Sequence, residues 1–284
     1  MELGSFVGDG GPRIAYRTWS PRSPRAPRAT VVVVHTALDH SARYDGFAKE
    51  LVRRGFTVWA HDQRGHGHSD GDAGVIDDLG HAASDVGRMV DLARREHGTP
   101  CFLVGHSLGA VIGLVYAVDH QDQLAGVVTT SVTIDSSAAP LPLRLATDVF
   151  KLDRLGGLLA PRFPLIAFDS ADISGDADEV EAHRTDPLVH HGRLPMRTAT
   201  EIARGNRHLD RARLASFGLP LLAVHGGRDS ISPPRSSTRL VDAVGSADKT
   251  VAIHDDLHHD LFHEQQPARA RVLGQIADWI DERA

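Results

Sequence analysis

Ser107 sits in the pentapeptide Gly105-His106-Ser107-Leu108-Gly109, the pattern G-x-S-x-G. On its own that pattern is weak, because an ordinary glycine-rich turn between a strand and a helix reads the same way. Its context strengthens it. An apolar run precedes it at residues 101–105, and helical spacing follows it to about residue 119. A serine on so tight a strand-to-helix turn takes a strained backbone, and small flanking residues keep the turn clear of its neighbours. Its hydroxyl then lies at a helix N-terminus, where free N–H groups and the helix dipole favour negative charge.

A serine hydroxyl becomes a nucleophile when a base takes its proton and a third group orients the base. On this kind of turn the partners follow in the order acid, then histidine. Asp229 ends the segment His225-Gly226-Gly227-Arg228-Asp229, just past the apolar run 221–224, and is the first candidate for the acid. Asp255 and Asp256 follow the next strand and are weaker rivals. His258 and His259 share the loop after residues 250–254, and either fits the base. An oxyanion needs two backbone donors. The N–H of Leu108 is one, and the loop Thr36-Ala37-Leu38 after the run 31–35 holds the other.

The remaining composition narrows the chemistry. There are 18 histidines, so a single histidine means little by itself. The pair His190-His191 and the group His254, His258, His259 and His263 invite a metal reading. No HExxH or comparable zinc spacing supports it, and neither a metal nor a cofactor is expected. The lone Cys101 lies in an apolar run and reads as buried filler, which fits a reducing compartment. Lys and Arg number 31 against 37 Asp and Glu, a net charge of −6, so no basic field exists for nucleic acid. The longest apolar runs are a handful of residues, far short of the ~20 that span a bilayer. Residues 1–14 lack the basic-then-apolar order of a secretory leader, so a cytoplasmic protein is expected.

The elements that must position these residues alternate. Strands are expected at 31–35, 56–61, 101–105, 126–130, 219–225 and 250–254. Helices are expected at 41–54 (Ser41 as N-cap, Gly55 past the end), 78–97, 107–119 and 267–282. Strands alternating with helices imply a mostly parallel sheet covered on both faces. Residues 5–7 and 14–18 read as an antiparallel hairpin at one edge. The proline- and arginine-rich stretch 21–28 is an exposed loop, its arginines solvated or, as a remoter option, set to bind phosphate. About ninety residues near 130–219 carry no strand signal, too many for a plain connection. Helical spacing at Leu141, Leu145, Val149, Leu152, Leu155, Leu158 and Leu159, then an apolar cluster at Phe163, Leu165, Ile166 and Phe168, reads as an inserted helical cap. The division is a core of residues 1–132 and 207–284 with a cap of 133–206 over the sheet's carboxyl edge, where open α/β sheets bind ligands.

Together these residues resemble the bacterial monoacylglycerol lipase family of the α/β-hydrolase superfamily, over nearly the whole chain. The family's H-G-x-G-E-H-x-x-R-Y loop reads here His35-Thr36-Ala37-Leu38-Asp39-His40-Ser41-Ala42-Arg43-Tyr44. Its D-x-x-G-H-G-x-S segment is Asp62 to Ser69, read as shaping the loop around the site. Its H-G-x-x-D is His225 to Asp229, and its Y-H-E-x-x-N-E is His258 to Glu264. The last alignment selects His259 over His258. The cap segment 185–193, with Asp186, is also similar to bacterial relatives. The resemblance implies an α/β-hydrolase fold with an inserted cap, and a serine ester hydrolase that cleaves monoacylglycerols without a cofactor. The implied site is Ser107, Asp229 and His259, with oxyanion donors Ala37 and Leu108 and head-group contacts Asp39 and Arg43. Thr36 and Leu38 stand where the family has glycine, so Thr36 must use ordinary dihedrals or carry strain. Other readings keep the same triad in a carboxylesterase, thioesterase or lysophospholipase, or make the chain a non-catalytic hydrolase-fold receptor. The expected partner is a small lipid ester, with the weakly basic, apolar cap as a candidate for transient contact with a lipid surface.

Overall fold

The valine run that begins the alternating pattern becomes β3 (Thr30–Val34), buried at every position. Val32 and Val34 pack in one apolar layer and Val31 and Val33 in the other. That two-sided burial is why the run shows no polar alternation. The computed structural model describes residues 1–22, 26–134, 160–167 and 169–284. The helical spacing expected at 141–159, Phe168 and part of the 21–28 loop lie outside these residues.

The central sheet adds β1 (Glu2–Val7), β2 (Arg13–Trp19), β4 (Thr57–His61), β5 (Cys101–His106), β6 (Gly126–Thr130), β9 (Leu221–Gly226) and β10 (Lys249–His254). Its order is β1-β2-β4-β3-β5-β6-β9-β10. β2 runs antiparallel to both neighbours, so β1 and β2 form the expected edge hairpin, and the pairs from β4 to β10 are parallel. The fold is α/β, a mostly parallel sheet flanked by helices. Helices α1 (Asp45–Arg53), α2 (Leu79–His97) and α3 (Leu108–Asp119) follow β3, β4 and β5. α2 is capped by Asp78, whose side chain accepts from the N–H groups of Gly80 and His81. α1 and the C-terminal helix (Ala268–Asp281) supply the second apolar layer, while α2 and α3 supply the first.

Two expectations change. The segment 41–54 is not one helix: a 3-10 turn at Ser41–Tyr44 precedes α1. Ser41 does not cap it. Its N–H and hydroxyl both donate to Oδ1 of the buried Asp62, at 2.9 and 2.5 Å. A buried carboxylate must be met by donors, and Ser41 supplies two of them. The 130–219 stretch does contain strands, Pro164–Ile166 (β7) and Leu194–Pro195 (β8), paired antiparallel. Three residues and two residues, each with a proline, are too short to show a period in sequence. Around them lie α4 (Ala177–Thr185) and α5 (Met196–His208). Leu165 and Ile166 pack on a small apolar cluster of Leu38, Leu194 and Ala199, whereas Phe163 is 54% exposed.

Chain crossing at the centre is tight. A Cβ on Gly109 would overlap the carbonyl oxygens of Val34 and His35. Gly109→Ala is therefore expected to cost about 1–3 kcal/mol, the usual range for forced overpacking, read as a lower denaturant midpoint with an unchanged slope.

Candidate active site

Between β5 and α3 the backbone turns at Ser107 with φ 52° and ψ −114°. A non-glycine residue rarely occupies that region, and it persists only where surroundings force it. Here they do. The Ser107 N–H donates to Thr130 O at 2.8 Å, and its carbonyl accepts from Ala110 N at 3.0 Å. The result lifts the side chain to the carboxyl edge of the sheet, at the start of α3.

Two other loops reach the same edge. After β9, Asp229 is 7% exposed, and its Oδ2 lies 2.7 Å from Nδ1 of His259. Its Oδ1 accepts from the N–H groups of Ile231 (2.9 Å) and Ser232 (2.7 Å). Burial alone would raise this carboxyl, but His259, His225 and the Ser232 N–H overcome it and hold it well below the usual carboxylate range. An ionised Asp229 makes Nδ1 of His259 the protonated nitrogen and leaves Nε2 with a lone pair. Ser107 and His259 line one cavity of about 460 Å³. His258 turns elsewhere, its Nδ1 3.0 Å from Glu264 Oε1, and Asp256 is exposed beside Arg271. The geometry thus separates residues that the bare pattern left equivalent.

The same cavity is lined by Thr36, Ala37, Leu38, Asp39 and Leu108. His35 organises that loop. Its Nε2 accepts from the Gln63 N–H at 2.9 Å, so its Nδ1 carries the proton and donates to Thr36 O at 2.6 Å. In a planar trans peptide the next N–H points opposite the carbonyl, so anchoring Thr36 O also aims the Ala37 N–H. Burial, with His66 adding to it, holds His35 well below its ordinary value and keeps it neutral. Thr36 avoids positive φ. The left-handed residue of the loop is Leu38, at φ 64°. Its carbonyl accepts from the N–H of His190 at 2.9 Å, and its side chain is 7% exposed.

Asp39 and Arg43 meet each other, Nε to Oδ1 at 3.3 Å. Asp39 reaches the main cavity, whereas Arg43 lines a neighbouring polar cavity of about 260 Å³ with His40, Asp186 and His263. Burial raises the Asp39 carboxyl, with Asp260 adding to it and Arg43 opposing.

Several supporting residues escaped the sequence reading. Ser131, left-handed at φ 49°, donates its hydroxyl to His259 O at 2.7 Å. His40 Nε2 donates to Asp186 Oδ2 at 3.0 Å, joining the loop after β3 to the segment between β6 and β9. The Asp260 N–H donates to Ile173 O at 2.7 Å from that segment's other end. His263 has an acceptor on each ring nitrogen: Asp260 Oδ2 on Nδ1 at 2.8 Å and Arg43 O on Nε2 at 2.8 Å. Only an imidazolium satisfies both. Burial opposes that charge, but Asp260 outweighs it and raises the group. Asx and His pairings of this kind leave no local sequence period. Only the motif alignment hinted at the pair, since Asp260 and His263 stand where the family segment has Glu and Asn.

Comparison with known proteins gives a consistent picture. The profile of the serine aminopeptidase S33 family of hydrolases matches residues 25–266. The monoacylglycerol lipase of Mycolicibacterium smegmatis is 33% identical over 97% of this chain and 95% of its own. The human monoglyceride lipase is 28% identical over 100% of this chain and 91% of its own. Among solved structures, the monoacylglycerol lipase of Paleococcus ferrophilus superposes with a TM-score of 0.81 at 26% identity, covering 100% of both chains.

The His263 pair has a pH consequence. Its raised folded value means its stabilisation is fully present below the unfolded value of about 6.5 and is lost as pH rises through the folded one. His263→Gln should cost about 3–5 kcal/mol in mildly acidic buffer, the usual loss on breaking a buried pair. The gap to the wild type should narrow as pH rises, which paired thermal melts across that range will read.

Proposed function

Because this chain belongs to the monoacylglycerol lipase group of the serine aminopeptidase S33 family of α/β-hydrolases and is a serine ester hydrolase, we propose that it cleaves monoacylglycerols to fatty acid and glycerol through an acyl-enzyme on Ser107. The supporting observation is the 2.7 Å bond between His259 Nδ1 and Asp229 Oδ2 beside the strained turn of Ser107. In this reading His259 Nε2 takes the Ser107 proton as Oγ attacks the ester carbonyl. The tetrahedral oxyanion lies between the N–H groups of Ala37 and Leu108, the first residue of α3. His259 returns the proton to the leaving alcohol, then activates the water that releases the acid. Asp229 keeps the imidazole in one tautomer and stabilises its charged form.

The inserted segment 133–206 acts in this reading as the cap. Ile166, Ile173, Leu194 and Ile202 give the cavity an apolar wall suited to an acyl chain. Asp39 faces the same space as a head-group contact, while Arg43 holds Asp39 rather than the substrate. No helix among the described residues is long and apolar enough to cross a membrane. The reading is of a cytoplasmic enzyme whose cap, with Phe163 exposed, touches a lipid surface transiently. Sedimentation with phospholipid vesicles tests that contact: protein left entirely in the supernatant rules it out.

Ser107→Ala should lower turnover on the order of 10⁴–10⁶-fold without loss of fold. A panel of glycerol monoesters of graded chain length, p-nitrophenyl esters and lysophospholipids should rank the monoesters first. Preference for the lysophospholipids or short activated esters would replace the proposed substrate. Asp229→Asn should cost about 10⁴-fold, because the amide favours the wrong imidazole tautomer.

A further inference from the structure

His225 ends the apolar part of β9 with its side chain fully buried, and the mechanism above does not use it. Its Nε2 lies 3.0 Å from Oδ2 of Asp229 and 2.7 Å from the carbonyl of Ser232. Both partners only accept, so Nε2 carries a proton. Its Nδ1 lies 2.7 Å from the hydroxyl of Ser237, on the helix Arg235–Ala243. A hydroxyl that donates to Nδ1 completes the neutral Nε2–H tautomer. The Nε2–H that bonds to the Ser232 carbonyl thus also lies 3.0 Å from Oδ2 of Asp229, the oxygen that accepts from Nδ1 of His259 at 2.7 Å.

We propose that His225 is a positioning residue of the hydrolytic site, fixing the rotation of the Asp229 carboxylate and dividing its negative charge between two imidazoles. This rests on the assignment of Ser107, Asp229 and His259 made above. The two backbone donors on Oδ1 hold one carboxylate oxygen. The other would otherwise be held by His259 alone, the group whose orientation it must set. The Nε2–H of His225, anchored on the Ser232 carbonyl and 3.0 Å from Oδ2, restrains it independently of the base. It also draws off part of the charge that Asp229 presents to His259.

Titratable groups reach the cavity of His259 from several elements, with Asp169, Asp172, His183, Arg184, His190 and His191 lining it from the segment between β6 and β9. His106, from β5, has its ring centroid 5.0 Å from that of His259 and is pushed down to about 3 by burial, so it stays neutral. Asp260, the next residue, is ionised, and its Oδ2 is engaged by His263. Arg43 and Asp39 lie beyond that pair. His225 is thus the proton donor that competes with His259 for the same oxygen of Asp229.

The test is the pH profile of kcat/KM on a monoacylglycerol, with folding followed by circular dichroism. His225→Leu removes the donor. Asp229 then acts fully on His259, so the acid limb should move to higher pH by on the order of one unit, with kcat down about 10²-fold from misalignment. His225→Gln restores an N–H near the Nε2 position and should bring the limb back toward the wild type. A folded Leu variant that loses rate with an unmoved limb makes His225 merely structural and overturns the proposal. Should the Leu variant not fold, proton–nitrogen NMR of the wild type decides: an imidazole proton on Nε2 of His225 supports the proposal, and one on Nδ1 alone overturns it. A wild-type protein inactive on every ester would instead defeat the parent reading, which the NMR result distinguishes.

Discussion

A carboxylate with 7% exposure cannot remain ionised without donors, and Asp229 is given three, two backbone N–H groups and the imidazole of His259, with the protonated Nε2 of His225 3.0 Å from Oδ2. Much of the carboxyl edge of the sheet is arranged around that requirement. The loop after β9 folds back so that Ile231 and Ser232 reach Oδ1. The loop after β10 is drawn in so that His259 reaches Oδ2, and Ser131 at the end of β6 clamps its carbonyl. Placing a charge in a low-dielectric site is costly, and the cost is met by geometry that also serves chemistry.

Backbone strain is concentrated at the same edge. The left-handed non-glycine residues among those described are Leu38, Ser107 and Ser131, which follow β3, β5 and β6. These strands are adjacent at the centre of the sheet. Each strained residue is held by bonds from another strand or from the inserted segment: Thr130 O and Val224 O accept from Ser107 and Ser131, and His190 N–H donates to Leu38 O. A strained turn survives where several independent contacts determine it, and a parallel sheet supplies them by ending neighbouring strands side by side.

The described residues between β6 and β9 do more than line the cavity. They grip the loop after β3 through His190 and Asp186 and the loop after β10 through Ile173 and Ser174. The buried cluster of Asp39, Arg43, Asp260 and His263 joins those two loops directly, with two carboxylates balanced against a guanidinium and an imidazolium. The loops that carry the two sides of the proposed chemistry are therefore braced against each other as well as against the sheet.

The alternation of strands and helices, the edge hairpin and the elbow were legible in the chain, because burial on both faces, helical period and glycine spacing are local properties. The tight crossing at Gly109, where any side chain would strike the carbonyls of β3, is written directly in G-x-S-x-G. The 3-10 start at Ser41 and the short β7–β8 pair were not legible, since one depends on the buried Asp62 and the other is shorter than any period. The choice of His259 over His258 came from a motif alignment, and that of Asp229 over Asp255 and Asp256 from strand order. What the sequence determined by itself is which residue types stand at the ends of which strands. What only the tertiary structure decided is which of them share a proton: His225 with Asp229, His263 with Asp260, His35 with Thr36. Those partners stand within four residues of each other, but each ring is seated by long-range contacts: Asp229 also meets His259, 30 residues away, and His263 also meets the Arg43 carbonyl, 220 residues away, and no local pattern encodes such contacts.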